Sequence, residues 1–399
     1  MKKVRFCILG AGPSGLAFAA ALSKAKCDSF VLLEKEAEAG GLCRSAMVDG
    51  APLDIGGGHF LDLRRPRVLD FLFRFMPRDE WQEFARLATI RIRGVEVEHP
   101  IEGNLWQLPL DDQITFLESV ACAGSGRGAP EPVAFEDWIR WKLGDRIAEE
   151  YMLPYNRKLW SMPLSALGTY WIHKLPSVSF HETLRSCLEK KTGGSLPAHG
   201  RFLYPRAHGY GEVWKRMAAS LGDRFIPGYE LRSIDVEHRI ANDAIQADVI
   251  VNTIPWTAWT KLAKLPESIQ GAIDKLVYTS VHLDYHPENL PSQSHWIYEP
   301  AEHVPHHRQL LRHNFCAGAR GHWTETNVRR SAPAKGIRFA NEHAYPVSTL
   351  NKPDAIATIL GWARARGIVG LGRWGTWDHI NSDVAVDLAL ECAEGFPEN

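Results

Sequence analysis

The chain has 399 residues, 45% of them hydrophobic, enough apolar material for a large core and more than one lobe. Its 46 lysines and arginines nearly cancel its 47 aspartates and glutamates, so no global field draws it to nucleic acid or an anionic membrane surface. Any anionic ligand must then be held by local groups.

Taken in chain order, "VRFCILG" is a short apolar run ending in glycine, as expected of a strand covered on both faces. The opening "MKKVRFCILGAG" also has the two lysines and apolar run of a signal peptide, but glycine interrupts it early and a buried strand is the reading taken. A helix from about Gly15 to Lys24 and a second strand in "SFVLLEK" complete a βαβ unit. From about residue 76 to 199 the segments "DEWQEFARL", "ITFLESVACA", "FEDWIRWKL" and "DRIAEEYMLPYNRKLW" carry helical periodicity and many tryptophans, predicting a mostly helical inserted lobe broken by "HPIEGNLWQLPL". Strand character returns in "ELRSIDVEHRI" and "ADVIVNTIP", within a stretch 200–264 assigned back to the first lobe. Residues 265–340, with "VYTSVHLDYH", "HWIYEP" and "RQLLRHNF", predict a β-rich substrate lobe roofing the site. The remainder, 341–399, rejoins the nucleotide lobe of 1–75, and its last helix starts at Asn381 and Ser382, both N-cap residue types, with Asp383 near the first turn.

Gly10, Gly12 and Gly15 form G-x-G-x-x-G between that first strand and helix. The first glycine permits a tight turn, the second the approach of a pyrophosphate to the backbone, and the third close packing of helix on strand. Glu34 ends the second strand about twenty residues on, where an acid receives a ribose diol. The fold class expected is therefore α/β, a Rossmann-like dinucleotide-binding domain with an inserted helical lobe and an antiparallel-sheet lobe. Seven scattered cysteines with no C-x-x-C pair predict reduced thiols and a cytoplasmic protein, no apolar stretch has the length of a membrane span, and no metal-ligand spacing is present.

"EKEAEAGGLCRS" continuing into "DIGGGHF" resembles the large FAD-dependent family that includes amine oxidases, protoporphyrinogen oxidase and UDP-galactopyranose mutase, and "GRWGTWDHINSDVAV" resembles its C-terminal flavin motif. That resemblance implies FAD, with contacts from Gly10, Gly12, Ser14, Gly15, Glu34 and Lys35 around the adenosine and pyrophosphate. It further implies contacts from Gly41, Leu42, Ser45, Gly57, Gly58, His59 and Leu231, and from Gly372, Arg373, Asn381, Ser382 and Asp383 near the flavin. Within the family the resemblance is to UDP-galactopyranose mutases, chiefly the eukaryotic type. "YNRKLWSMPLSAL" places a base-holding pair at Asn156 and Trp160, "RQLLRHNF" a diphosphate arginine at Arg308, and "NEHAYPVSTL" a substrate tyrosine at Tyr345. Lys174, one position from an absent second arginine, and His379, in place of a tyrosine, are the further candidate substrate groups.

Each of these residues also has a plainer role: a structural ion pair for Arg308, a loop cap for His59, core packing for Trp160, and backbone-satisfied burial for Tyr345 and His379. The chain departs from the mutases where Tyr-Pro-Phe-Gln-Asn-Asn is replaced by "HPIEGN", at His99, Ile101 and Glu102, and where a tyrosine is Phe315. The resemblance implies a pyranose–furanose isomerase of a nucleoside diphosphate sugar. N5 of reduced FAD is then the nucleophile at the anomeric carbon, His59 and Arg308 are the catalytic residues, and NAD(P)H or another reductant reduces the flavin. An FAD-dependent oxidoreductase of the amine oxidase or desaturase type shares the same framework and stands as the alternative. Association with further copies of the chain is left open, and neither nucleic acid nor a membrane is expected as a partner.

Overall fold

The computed structural model describes residues 1–175, 178–194 and 200–396; the side chain of Lys174 lies outside what is described. The apolar runs at the start do form buried parallel strands. Lys2–Leu9 lies between Phe30–Leu33 and Ile245–Asn252, with Leu9 opposite Leu33 on one side and Asn252 on the other. Phe225–Ile226 and Ile368–Gly370 extend the parallel set, and the two-residue strands Ile234–Asp235 and Ile240–Ala241 are what "ELRSIDVEHRI" contributes. The first helix, Pro13–Lys24, starts two residues earlier than its glycine suggested, because proline fits the first helical turn, where no N–H is needed. It packs beside the last helix, Ser382–Glu394, so the two ends of the chain build one lobe.

The second large sheet has seven strands, ordered Arg338–Pro346, Tyr278–His286, His322–Asn327, Arg308–Leu310, Trp296–Tyr298, Ala88–Ile92 and Val95–Glu98. Two corrections to the sequence reading fall here. "DEWQEFARL" is not helical: Trp81–Ala85 is a strand pairing antiparallel with Arg201–Pro205. Its helical spacing of apolar residues is overridden by tertiary pairing that buries Trp81 completely. Residues 88–98, inside the segment read as mostly helical, form a hairpin in the large sheet, turned by Arg93 and Gly94 at φ 50° and 80°. Two positive φ angles in a two-residue loop are the signature of the hairpin turn whose twist matches the strands. The helices expected downstream are present at Leu110–Ala121, Phe135–Ile147 and Leu153–Trp160. They close on a core of Ile90, Phe116, Trp138, Ile147 and Trp171. Among the described residues no helix is long and apolar enough to cross a membrane, and all seven cysteines are free thiols.

Candidate functional site

The glycine turn behaves as its spacing requires. Gly10 has φ 95°, Gly15 lies so close to the strand that an added Cβ would stand 2.0 Å from the Gly10 carbonyl oxygen, and a Cβ on Gly12 would meet no atom within 4 Å. Gly12 is the N-cap of the first helix and makes no side-chain cap bond, and no acidic residue occupies the first turn, so the helix presents free N–H groups and positive potential at that opening. Glu34 is buried. Ala11 N–H donates to its Oε2 at 2.7 Å and Glu36 N–H to its Oε1 at 3.0 Å, which fixes the carboxylate at the strand end. Gly41 (φ 54°) brings its loop back to within 3.2 Å of the Gly12 Cα as measured from an added Cβ. These residues fit the adenosine diphosphate half of a dinucleotide.

Most of the other expected cofactor residues also have partners within the protein. Ser14 Oγ donates to the Ala385 carbonyl at 3.4 Å and presses on Gly372, joining first and last helices. Ser45 Oγ donates to Asp54 Oδ1 at 2.6 Å and accepts from Gly211 N–H, so its hydroxyl is spent on the core. Ser382 Oγ is 2.7 Å from the Tyr210 hydroxyl, and Asp383 and Asp387 share Arg65. Asn381 holds the N-cap position with no side-chain bond to the turn. Lys35 is exposed, 3.9 Å from Glu36, while Leu42 lends its carbonyl to the tight approach of Gly56 and Leu231 packs on the second core. Arg373 donates to the carbonyls of Ala344 and Ile380 and places its guanidinium 5.7 Å from the Tyr345 ring.

The Gly57–His59 loop joins this seat to a second site. Gly57 has φ 104° and no room for a Cβ, which would lie 2.8 Å from Glu325 Oε1; Gly58 N–H donates to that oxygen at 3.3 Å. Across the sheet Arg308 is in register with Glu325 and reaches its Oε2 from Nε at 2.7 Å and Nη2 at 2.6 Å. Burial works to raise the Glu325 carboxyl, but Arg308 and the neighbouring His307 hold it down at about 2. Arg308 Nη2 also donates to the Tyr345 hydroxyl at 3.3 Å, and Nη1 has no hydrogen-bond partner among the described residues. Arg308 thus makes a structural ion pair on one edge and keeps an unengaged donor nitrogen on the other.

Arg308 lines a pocket of about 240 Å³ together with Asn156, Trp160, His379, Tyr155 and Glu102. Tyr345 borders it, its ring 4.9 Å from His379 and 6.4 Å from Trp160. Asn156 and Trp160 bond each other, Trp160 Nε1 donating to Asn156 Oδ1 at 3.0 Å, while Asn156 Nδ2 donates to the Met152 carbonyl at 2.8 Å. Four residues expected from three motifs therefore line one pocket and Tyr345, from a fourth, packs against two of them, while Lys174 has its side chain outside the described set. Tyr151, Tyr155 and Tyr298, which also line the pocket, were not anticipated. The first two lie four residues apart on the helical stretch that carries Asn156, with Tyr155 adjoining it, a signal present in "EEYMLPYN".

His59 Nδ1 stands 2.8 Å from the Gly57 carbonyl, an acceptor, so the neutral ring carries its proton on Nδ1 and keeps a lone pair on Nε2. Burial and then Arg373 push the ring down to about 4. A histidine lowered in the folded state binds protons better when unfolded, so stability is complete above about 6.5 and falls as pH drops toward 4. His59→Gln is expected to make the melting temperature less steep in pH across that window than in the wild type. An unchanged slope would mean that the ring is not desolvated.

A family profile described as an NAD(P)-binding Rossmann-like domain matches residues 8–75. Among solved structures, reduced UDP-galactopyranose mutase superposes with a TM-score of 0.87 at 20% identity, over 98% of this chain and 95% of that one. The chain shares the fold of that mutase over 98% of its length. A protein from an Exiguobacterium species provisionally named protoporphyrinogen oxidase matches at 0.73 and 16% identity, over 99% and 98% of the two chains. Cyclohexylamine oxidase from Brevibacterium oxydans matches at 0.67 and 15%, over 98% of each. Identities this low establish the shared architecture, which serves both isomerases and oxidases.

Proposed function

We propose that the protein is a flavin-dependent mutase that interconverts pyranose and furanose forms of a nucleoside diphosphate sugar. The observation that carries this reading is that Asn156, Trp160, Arg308 and His379 line one pocket, with Tyr345 packed against Trp160 and His379 and bonded to Arg308, and with Glu325 linking Arg308 to the Gly57–His59 loop. The turn at Gly12 with the first helix would hold the FAD pyrophosphate, Glu34 the ribose, and the Gly57–His59 loop with Arg373 and the helix starting at Ser382 the flavin end. Bound and reduced, FAD supplies N5 as the nucleophile toward the anomeric carbon.

The chain's own residues have the remaining work. Arg308 Nη1 donates to the diphosphate while the Glu325 pair and Tyr345 fix the guanidinium plane, a pre-set donor that needs no reorganisation as the leaving group departs. Tyr345 and His379 offer further polar contacts beside it. His59, neutral above about pH 4, presents an acceptor at Nε2 and adds no charge. Trp138, Tyr151, Tyr155, Trp160 and Trp171 wall the pocket and exclude water from the separated diphosphate and sugar.

Product is expected only after reduction by dithionite or a reduced nicotinamide, with many turnovers per electron pair, because the isomerisation consumes no electrons. Anaerobic mixing of oxidised holoprotein with candidate amines and nucleotide sugars, followed by flavin absorbance, is the check. Stoichiometric bleaching by a substrate without added reductant would assign the protein to the oxidoreductases instead.

A further inference from the structure

The pocket also holds a carboxyl group that the isomerisation does not use, and its interpretation rests on the nucleotide-sugar reading. Glu102 sits in the short turn Ile101–Gly103, which is pinned from both sides. Gly103 N–H and Asn104 Nδ2 both donate to the Pro100 carbonyl, and Gly193 N–H donates to the Gly103 carbonyl at 2.9 Å. A Cβ on Gly103 would stand 2.4 Å from the Gly193 carbonyl oxygen, so the turn has no slack. Glu102 is 7% exposed and lines the pocket. Its carboxylate faces its own backbone N–H and feels the Lys142 cation, but it makes no ion pair within 4.0 Å and no side-chain hydrogen bond among the described residues. Burying an acid with only its own backbone N–H as donor is unfavourable, and a ligand that brings further donors reduces that penalty.

Position narrows which part of a ligand arrives there. Glu102 follows Val95–Glu98, the edge strand of the large sheet, three strands along from Arg308–Leu310, whereas Arg308 holds Glu325, which accepts from Gly58 N–H in the His59 loop. With the diphosphate on Arg308 and the sugar toward that loop, the group left for Glu102 is the base. An ionised carboxylate pairs best with two adjacent donors. Guanine presents two, N1–H and the exocyclic N2–H₂. Adenine and cytosine present one donor beside an acceptor, and uracil flanks its single N3–H with carbonyl oxygens.

We propose that Glu102 selects a guanine nucleotide, its two carboxylate oxygens accepting from N1–H and N2–H₂ of the base, so that the substrate is a guanosine diphosphate sugar. The test is to titrate reduced holoprotein with GDP, UDP, CDP and ADP, read by tryptophan fluorescence or calorimetry, in the wild type, Glu102→Gln and Glu102→Ala. GDP is expected to bind the wild type roughly ten- to a hundredfold more tightly than UDP, the range for one bidentate base contact. The Gln amide offers one acceptor and one donor, which matches uracil, so Glu102→Gln is expected to shift the preference toward UDP and Glu102→Ala to level it. A wild type that prefers UDP, or a GDP preference unchanged in Glu102→Gln, overturns this inference and leaves the nucleotide-sugar reading standing. Failure of all four to bind overturns both.

Discussion

Gly12→Val is expected to give a folded protein that has lost most of its flavin, whereas Gly15→Val is expected to disrupt the lobe itself. The two glycines sit three residues apart in one motif, yet their surroundings are opposite. A Cβ at Gly12 meets no atom within 4 Å, and its backbone is extended at φ −77°, ψ −179°, a region valine favours. The side chain is then tolerated by the protein and obstructs only what approaches the helix N-terminus, where a pyrophosphate would lie against the backbone. At Gly15 the Cβ would stand 2.0 Å from the Gly10 carbonyl oxygen, so helix and strand must separate. Overpacking against rigid backbone costs about 1–3 kcal/mol or more. Flavin content after denaturing release, set beside melting temperature and near-UV circular dichroism, separates the cases. Full FAD occupancy in Gly12→Val would remove the cofactor assignment.

The legibility of this site in the sequence follows the range of each interaction. The dinucleotide seat was readable because its parts are local: three glycines in six residues, a helix, and Glu34 at the next strand end. Asn156 and Trp160 were readable as a pair on one helix, but the bond between them, which spends Trp160 Nε1 and Asn156 Oδ1, depends on rotamers that spacing does not specify. Glu325 was not anticipated at all. It lies 17 residues from Arg308 and meets it only through strand register, and nothing in "HWTETN" marks its glutamate as buried. The misread "DEWQEFARL" and the unread hairpin at 88–98 share a cause, since both acquire their structure from partners elsewhere in the chain. The hairpin did carry a local signal in Arg93-Gly94 between β-branched alternating residues.

The largest combined effect is expected at Arg308, where stability and ligand binding rest on one guanidinium. Arg308→Ala removes the main partner of Glu325, a side chain 1% exposed, and breaking a buried pair in this way costs about 3–5 kcal/mol. The pH dependence is expected to reverse as well. In the wild type the Glu325 carboxyl is held at about 2, below its ordinary 4.5, so its contribution is present above pH 4.5 and lost as pH falls toward 2. Without Arg308, burial acts against only His307 and the Gly58 N–H and is expected to lift the carboxyl above 4.5, so the variant is weakest at neutral pH and gains stability as acid protonates it. Thermal melts across pH check both signs.

Function is isolated from this by Arg308→Ala combined with Glu325→Gln, which removes the stranded charge and keeps an acceptor for Gly58 N–H. The double variant is expected to recover most of the lost stability and still bind nucleoside diphosphates more weakly than the wild type, by roughly ten- to a hundredfold for a charge-assisted contact of about 1.5–3 kcal/mol. Arg308→Lys is expected to recover binding only in part, because an ammonium cannot hold Glu325, Tyr345 and a diphosphate in one plane. Wild-type affinity in the double variant would leave Arg308 a purely structural residue, and the diphosphate would have to be held elsewhere in the pocket.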